Sequence, residues 1–389
     1  MALKRLGILT GGGDVPGLNS VIKAVVYRGG ELGFEVTGIR KGWEGLTHLD
    51  LAGNPRGHIM PLDRANTRTI DRTGGTFLHS SRTNPSRMRV EKLPAHLMAT
   101  AGRFREVAPG VVDLTPVVLE NLQALKIDAL VTIGGDDTLS YASVLEKNGV
   151  PVVAVPKTMD NDVRNTEYCI GFSTAVTRAE AAITRQRTTV GSHERIGIFR
   201  IFGRDAGYTA LYTAYVTSIR CCIPEHRFDL HKLIDLLLTD KRQNPSNYAL
   251  IVISEGAAWK GGEVREYGEA DAFGHRKKVN VAEALSDAIK RVGNEETIVS
   301  DLTYDLRSGE PDFVDKMVAI TFANMALDCL VAGQHGRMMA IQNGCYVDAE
   351  IPDPALGPRT VDVATMYNVE RYRPNYAYKK GLPIFLTRV

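Results

Sequence analysis

Cysteine is scarce in this chain, with five in 389 residues: Cys169, Cys221, Cys222, Cys329 and Cys345. None forms a CxxC pair or a metal-ligand spacing, and the odd number speaks against a disulfide framework, so they read as reduced core thiols. Long apolar runs are also lacking. None nears the ~20 residues that a membrane-spanning helix needs. The first residues include basic side chains but no apolar stretch of signal-peptide length, which makes the cytoplasm the expected location. Neither sign of charge dominates: Lys and Arg number 47 against 45 Asp and Glu, a net +2. No global field therefore favours nucleic acid or a membrane surface, and basic residues that matter act locally. No GxxxxGK[ST] stretch occurs, which excludes a P-loop, and no repeat or low-complexity tract stands out.

What is present is a globular composition, 44% apolar and 24% charged, in a chain long enough for two domains with their own cores. The recurring unit is a short apolar run, a turn rich in Gly or Asp, and then a helical pattern. Residues 6–10 lead into a glycine turn at 11–17 and a helix over 18–32. Thr115 and Pro116 read as the N-cap and first residue of a helix through 125. Buried strands are expected at 129–133, 152–155, 196–202 and 248–254. Strands alternating with helices predict an α/β fold whose sheets are mainly parallel and covered on both faces. Ligands of such folds gather where the carboxyl ends of the strands meet loops, and every Gly/Asp cluster here falls at such an end. Two polar stretches, 82–110 and 259–278, read as loops or insertions.

Three of these turns carry chemistry. Gly11-Gly12-Gly13-Asp14-Val15-Pro16-Gly17 sits between a strand and a helix, where consecutive glycines let backbone N–H groups approach an anion. The dinucleotide fingerprint fails there because Pro16 occupies its third glycine. Gly134-Gly135-Asp136-Asp137-Thr138 sets two carboxylates at a strand end. They suit a divalent cation that bridges to phosphate oxygens; Asp137 as an exposed helix cap is the plain alternative. Pro156-Lys157-Thr158-Met159-Asp160-Asn161-Asp162 places two acids beside a lysine. A carboxylate there can accept the proton of an attacking hydroxyl while the cation balances charge on a leaving group.

In this order the three motifs resemble those of the phosphofructokinase family. Ser192-His193-Glu194-Arg195, Phe202-Gly203-Arg204 and Ser254-Glu255-Gly256-Ala257 extend the resemblance over roughly residues 3–345. It implies two three-layer α/β domains with the active site in the cleft between them. The donor domain would span 1–171, completed by part of 307–345. The sugar-phosphate domain would span 172–306, completed by 346–389. By the same resemblance Asp160 is the general base toward the sugar 1-hydroxyl. Asp136 is the acid associated with Mg²⁺, supported by Asp162. Gly12 and Arg82 hold the donor phosphates, and Thr158, Phe202, Gly203, Arg204 and Glu255 line the sugar-phosphate pocket, where Arg204 also counts as catalytic. Arg195 reaches a neighbouring subunit's site, which implies a homodimer or homotetramer. Arginine suits such positions because its fork matches phosphate oxygens.

Two positions separate the family's donor classes. ATP users tend to carry glycine where this chain has Asp137 and Lys157, so it resembles the pyrophosphate users. Asp137 would lie where the α-phosphate of ATP sits. Like charges ~4 Å apart cost roughly 4 kcal/mol at an effective dielectric near 20, on the order of a thousandfold against ATP. The expected reaction is phosphoryl transfer from pyrophosphate to fructose 6-phosphate, with ATP as the alternative donor.

The match weakens at Ile298, where the family pattern has arginine, although Arg307 keeps its place and Tyr304 replaces histidine. Sedoheptulose 7-phosphate is therefore an alternative acceptor. Tyr27 stands where regulated bacterial members often have arginine, so effector control is not expected. Residues 367–380, aromatic and basic, read as an oligomer contact or a surface cap. The competing readings are an NAD or lipid kinase, which would lack the later motifs, and a non-catalytic sugar-phosphate sensor, which would be expected to have lost Asp136 or Asp160.

Overall fold

The structure, a computed structural model, describes residues 4–53, 55–262, 266–267, 277–278 and 280–377. Its strands are short apolar runs buried on both faces, which is the signature of parallel sheets layered between helices. Eleven strands form the two main sheets. Those of the larger are β1 (Arg5–Thr10), β2 (Glu35–Ile39), β3 (Ile59–Leu62), β4 (Ala129–Gly134), β5 (Val152–Pro156), β10 (Arg337–Gln342) and β11 (Cys345–Glu350). They lie in the order β11-β10-β5-β4-β1-β2-β3, parallel except for β3 and β11 at the two edges. The smaller sheet holds β6 (Ile196–Ile201), β7 (Arg220–Cys222), β8 (Ala249–Ser254) and β9 (Thr297–Asp301) in the order β7-β8-β6-β9, all parallel.

Register explains where loops meet. Gly134 pairs with Pro156 and Thr10 with Ile133, so β1, β4 and β5 end level and release their turns side by side. The chain also reverses direction across the large sheet between β1 and β4, the crevice where open α/β sheets place ligands. In the smaller sheet Ile201 pairs with Ser254, and Arg200 with Asp301, which again levels the carboxyl ends.

Helices α1 (Leu18–Glu31), α2 (Thr115–Ala124), α3 (Asp136–Lys147), α4 (Phe172–Ser192), α5 (Tyr208–Thr217), α6 (Leu230–Gln243), α7 (Val281–Gly293) and α8 (Phe313–Val331) cover the sheets. One apolar cluster runs from Leu6, Val131 and Val155 through α4 and α8 to Ile198, Phe199 and Ile253, so a continuous core joins the layers. No helix among the described residues is long and apolar enough to cross a membrane.

The expected strands and α1 appear within a residue or two of their predicted bounds, but four details differ. Leu114, not Thr115, caps α2, while Asp113 accepts the Thr115 N–H at 2.9 Å. Much of the stretch read as loop at 82–110 is ordered: Met88–Arg89, Arg105–Ala108 and Val111–Asp113 form an antiparallel sheet over a small core of Met88, Leu93, Leu97 and Phe104. Cys345 is exposed rather than a core thiol. Tyr367 and Tyr372 are buried against the edge strand β7, with the Tyr367 hydroxyl donating to the Cys221 carbonyl at 2.6 Å. Most of 263–279 and all of 378–389 lie outside the described residues, including the ends of two stretches singled out above.

A single buried carboxylate fastens the layers. Asp315, fully buried in the first turn of α8, accepts the Tyr168 hydroxyl at 2.6 Å, the Gly171 and Thr174 N–H groups at 2.7 and 2.8 Å, and the Thr174 hydroxyl at 2.5 Å. Burial pushes its carboxyl up to about 6 despite these donors. Asp315→Asn turns an amide N–H₂ toward two of them and orphans buried groups at ~1–3 kcal/mol each. Its urea unfolding midpoint is expected to fall by the equivalent of about 3 kcal/mol. A change below about 0.5 kcal/mol would show that the hub is dispensable.

Candidate active site

The three levelled turns of the large sheet build one wall. The glycine turn is shaped by contact: a Cβ on Gly11 would lie 2.4 Å from the Thr138 hydroxyl, and Gly12 holds the left-handed φ of +78°. Its first two N–H groups are already used, Gly11 donating to the Ile133 carbonyl at 2.9 Å and Gly12 to the Ser81 carbonyl at 3.0 Å. The expected backbone cradle is therefore not offered by those two groups. The cation beneath the turn is Lys157, 4% exposed, whose Nζ donates to the Gly13 carbonyl at 2.5 Å. Burial and then Arg307 bring its ammonium down to about 8, against the opposing pull of Asp14 and Asp137; Arg82 adds a further push.

Carboxylates crowd the floor. Asp136 and Asp137 open α3 after the capping Gly135. Burial, then Asp162 and Asp137, push the Asp136 carboxyl up to about 7, with Arg164 pulling the other way. Asp160 is held well above the usual carboxylate range by burial, Asp162 and Glu255, while Arg307 and Arg204 oppose the shift. Its Oδ1 is occluded and has no hydrogen-bond partner among the described residues. Burial also raises Asp162, against its bond to the Thr158 hydroxyl and the charge of Arg359. The Thr158 hydroxyl also accepts the Asp160 N–H at 3.2 Å. Asn161 between the two acids has a left-handed φ of 54°, and its Nδ2 donates to the Glu167 carbonyl at 3.0 Å.

The smaller sheet supplies the facing wall. Gly203, at φ 125°, lets the chain turn after β6, and Gly256 passes so close to the Arg204 carbonyl that a Cβ would lie 1.8 Å from it. Arg200 on β6 reaches Glu255 at 3.2 Å and Asp301 at 2.5 Å, and Asp301 in turn accepts the Thr303 hydroxyl at 2.7 Å. The turn that follows carries Tyr304 and Arg307. Tyr304 is 75% exposed and packs edge-on against Phe202 at 5.8 Å. The Arg307 guanidinium lies 4.2 Å over the Phe202 ring and beside Gly13, where a Cβ would be 2.6 Å from Nη1. Arg307 thus touches both walls.

The structure brings Gly12, Arg82, Asp136, Asp137, Lys157, Thr158, Asp160, Asp162, Phe202, Gly203, Arg204, Glu255, Tyr304 and Arg307 around one cleft. Arg195 is not among them. It precedes β6, so six strand residues at ~3.3 Å each set it about 20 Å from the carboxyl ends. Ile298 packs against the core from β9. Two residues of the surroundings were missed from sequence. Arg200 had a signal, a lone charge interrupting an apolar strand; Arg359, in a loop far along the chain, had none.

Comparison with known proteins agrees with this geometry. The family model described as Phosphofructokinase matches residues 5–330. The pyrophosphate--fructose 6-phosphate 1-phosphotransferase of Streptomyces coelicolor is 38% identical over 92% of this chain and 97% of its own length. ATP-dependent 6-phosphofructokinase 3 of the same organism is 33% identical over 94% of this chain and 99% of its own. A solved pyrophosphate-dependent phosphofructokinase from Nitrosospira multiformis superposes with a TM-score of 0.75 over 99% of this chain and 96% of its own, at 16% identity, which shows the shared fold. With motifs, topology, cleft and relatives in agreement, the chain belongs to the phosphofructokinase family.

Proposed function

We propose that this chain transfers a phosphoryl group from pyrophosphate to the 1-hydroxyl of fructose 6-phosphate, giving fructose 1,6-bisphosphate and phosphate. The observation that carries the choice of donor is the Lys157 ammonium buried beneath the glycine turn, with the Asp137 charge beside it. By the family resemblance ATP users tend to carry glycine at both positions; relatives named for each donor match at similar identity. The acid repels an α-phosphate that pyrophosphate does not have, while the lysine neutralises the small departing phosphate.

In this reading Asp160 takes the proton of the C1 hydroxyl. The oxygen attacks the near phosphorus, and the bridging P–O bond breaks toward the phosphate held by Lys157, Arg82 and Arg307. Arg204, Phe202, Gly203, Thr158 and Glu255 orient the sugar phosphate. No group of three or more ligating side chains that could hold a metal by itself occurs among the described residues. The crowded acids fit a Mg²⁺ ion that takes one or two carboxylates and completes its shell with substrate oxygens. Asp136 would hold it, with Asp162 in support, and it would offset negative charge on the phosphates. The two sheets then divide the work, the larger presenting the donor and the smaller the sugar. Ile298 leaves the far end of the sugar site without the family arginine, so sedoheptulose 7-phosphate belongs in the assay beside fructose 6-phosphate.

Three outcomes test this. Asp160→Asn is expected to lower kcat by ~10²–10⁴ with KM little changed; a loss below about tenfold would remove Asp160 as the base. In coupled assays crossing both donors, the wild type favours pyrophosphate. Asp137→Gly combined with Lys157→Gly weakens pyrophosphate turnover and shifts preference toward ATP by on the order of a thousandfold. Wild-type activity with ATP equal to that with pyrophosphate would refute the donor assignment. The free-protein pH profile follows from Lys157: its ammonium is present below about pH 8 and lost above it. Pyrophosphate kcat/KM is expected to decline through pH 8, and Lys157→Gly to flatten that limb; an unchanged alkaline limb in the variant contradicts the role.

A further inference from the structure

The matched family region ends at residue 330, yet one of the few buried arginines lies well beyond it. Arg359 is 7% exposed. Its backbone N–H donates to the Asp162 carbonyl at 2.6 Å, and its Nη2 to the carbonyls of Asn161 at 2.6 Å and Glu167 at 3.2 Å. Two residues earlier, the Gly357 carbonyl accepts Arg164 Nε at 2.8 Å. Residues 357–359 therefore clasp the 161–167 loop through its backbone carbonyls at 161, 162 and 167 and through the side chain of Arg164.

The same strap grips the opposite wall. The Arg359 guanidinium lies 4.6 Å over the Tyr208 ring, and the Tyr208 hydroxyl donates to the Thr360 carbonyl at 2.6 Å. The Val361 N–H donates to Glu225 at 2.8 Å, and the same carboxylate oxygen accepts the Gly207 N–H at 2.9 Å. Gly207 and Tyr208 begin α5, three residues after Arg204. The strap thus ties the Asp160–Asp162 turn to the segment that carries Arg204. The turn needs such support, since Asn161 sits in left-handed backbone that only a surrounding framework maintains.

We propose that Arg359 is a positioning residue for phosphoryl transfer: it fixes the backbone of the 160–162 turn, so the segment after β11 completes the active site. The inference rests on the reading of Asp160 as the base. The one Nη2 serves both the Asn161 and Glu167 carbonyls while the planar guanidinium stacks on Tyr208; a lysine can donate to the carbonyls but has no plane to hold on the ring, and a methionine donates to neither.

The test compares wild type, Arg359→Lys and Arg359→Met in the full chain, by steady-state kinetics with pyrophosphate and fructose 6-phosphate and by amide hydrogen exchange. Arg359→Met is expected to lower kcat by up to ~100-fold with both KM values within about threefold, since small misplacements of reacting groups cost rate before affinity. Arg359→Lys recovers part of that loss. Exchange of the 158–167 amides rises about tenfold in Arg359→Met while β1 and β8 stay protected. Unchanged kcat in a folded variant, or exchange raised equally everywhere, would overturn the proposal. If the wild type does not turn over pyrophosphate, the functional reading fails on that arm. The exchange comparison then judges the strap by itself.

Discussion

Like charges confined out of water set the terms for this cleft. Beyond burial, Asp162 raises the carboxyls of both Asp136 and Asp160, Asp137 adds to the first and Glu255 to the second, and Asp205 raises Asp162 itself. Burial is the first cause in each case. A protein can tolerate such crowding only by surrounding it with fixed cations and donors, or by leaving it to be resolved by what binds. Both answers are visible. Arg204 and Arg307 oppose the shift of Asp160, Arg164 that of Asp136 and Arg359 that of Asp162, while one oxygen of Asp160 has no hydrogen-bond partner among the described residues. The arginines come from separate parts of the chain: the loop after β5, the turn after β6, the turn after β9 and the strap. Charge balance thus links segments that packing alone would leave independent.

The fold makes that meeting of segments cheap in conformational terms. Parallel strands in level register deliver their turns at one height, so no turn needs a long excursion to reach the cleft. Glycine permits the closest approaches. Gly13 leaves room for Arg307, and Gly256 for the Arg204 carbonyl. Asp315 does for the backbone what the arginines do for the acids. Its four donors tie α8, the end of the 158–171 loop and the start of α4 into one junction beneath the site.

Much of this was legible before any coordinates. Strands such as Ala129–Gly134 and Val152–Pro156 announce themselves because burial on both faces leaves Thr132 as their one polar side chain, and their Gly/Asp turns mark the carboxyl ends. The cleft residues Asp136, Lys157 and Asp160 were legible because chemistry concentrates them in short motifs. What escaped lacks local signal. Met88, Leu93, Leu97 and Phe104 follow no single period, so their small core reads as loop until the chain closes on it. Arg359 acts through backbone carbonyls some two hundred residues away, and carbonyls carry no sequence identity. The Gly12 turn shows the converse error: glycines suggested free N–H groups, but the Gly11 and Gly12 N–H groups are taken by the carbonyls of Ile133 on β4 and of Ser81 in a loop, neither of which is near in sequence.

The proposed choice of pyrophosphate as donor rests on the same electrostatics. Burial first, and then Arg307, lower the proton affinity of Lys157; Arg82 adds to this, while Asp14 and Asp137 oppose it. A bound anion would raise that affinity again and hold the ammonium charged, so the proposed site would gain most from the ligand that concentrates charge nearest Lys157. Pyrophosphate places all its charge within that reach. A nucleotide spreads charge further along its chain, and on the proposed reading its α-phosphate would meet the first turn of α3, where Asp137 adds to the acid cluster around Asp136. In the proposed reaction the two residues would act as one selector: the lysine would favour a compact donor, and the aspartate would disfavour an extended one. Neither effect alone separates the donors as well. A lysine welcomes any phosphate, and an aspartate without it weakens every anion in the cleft.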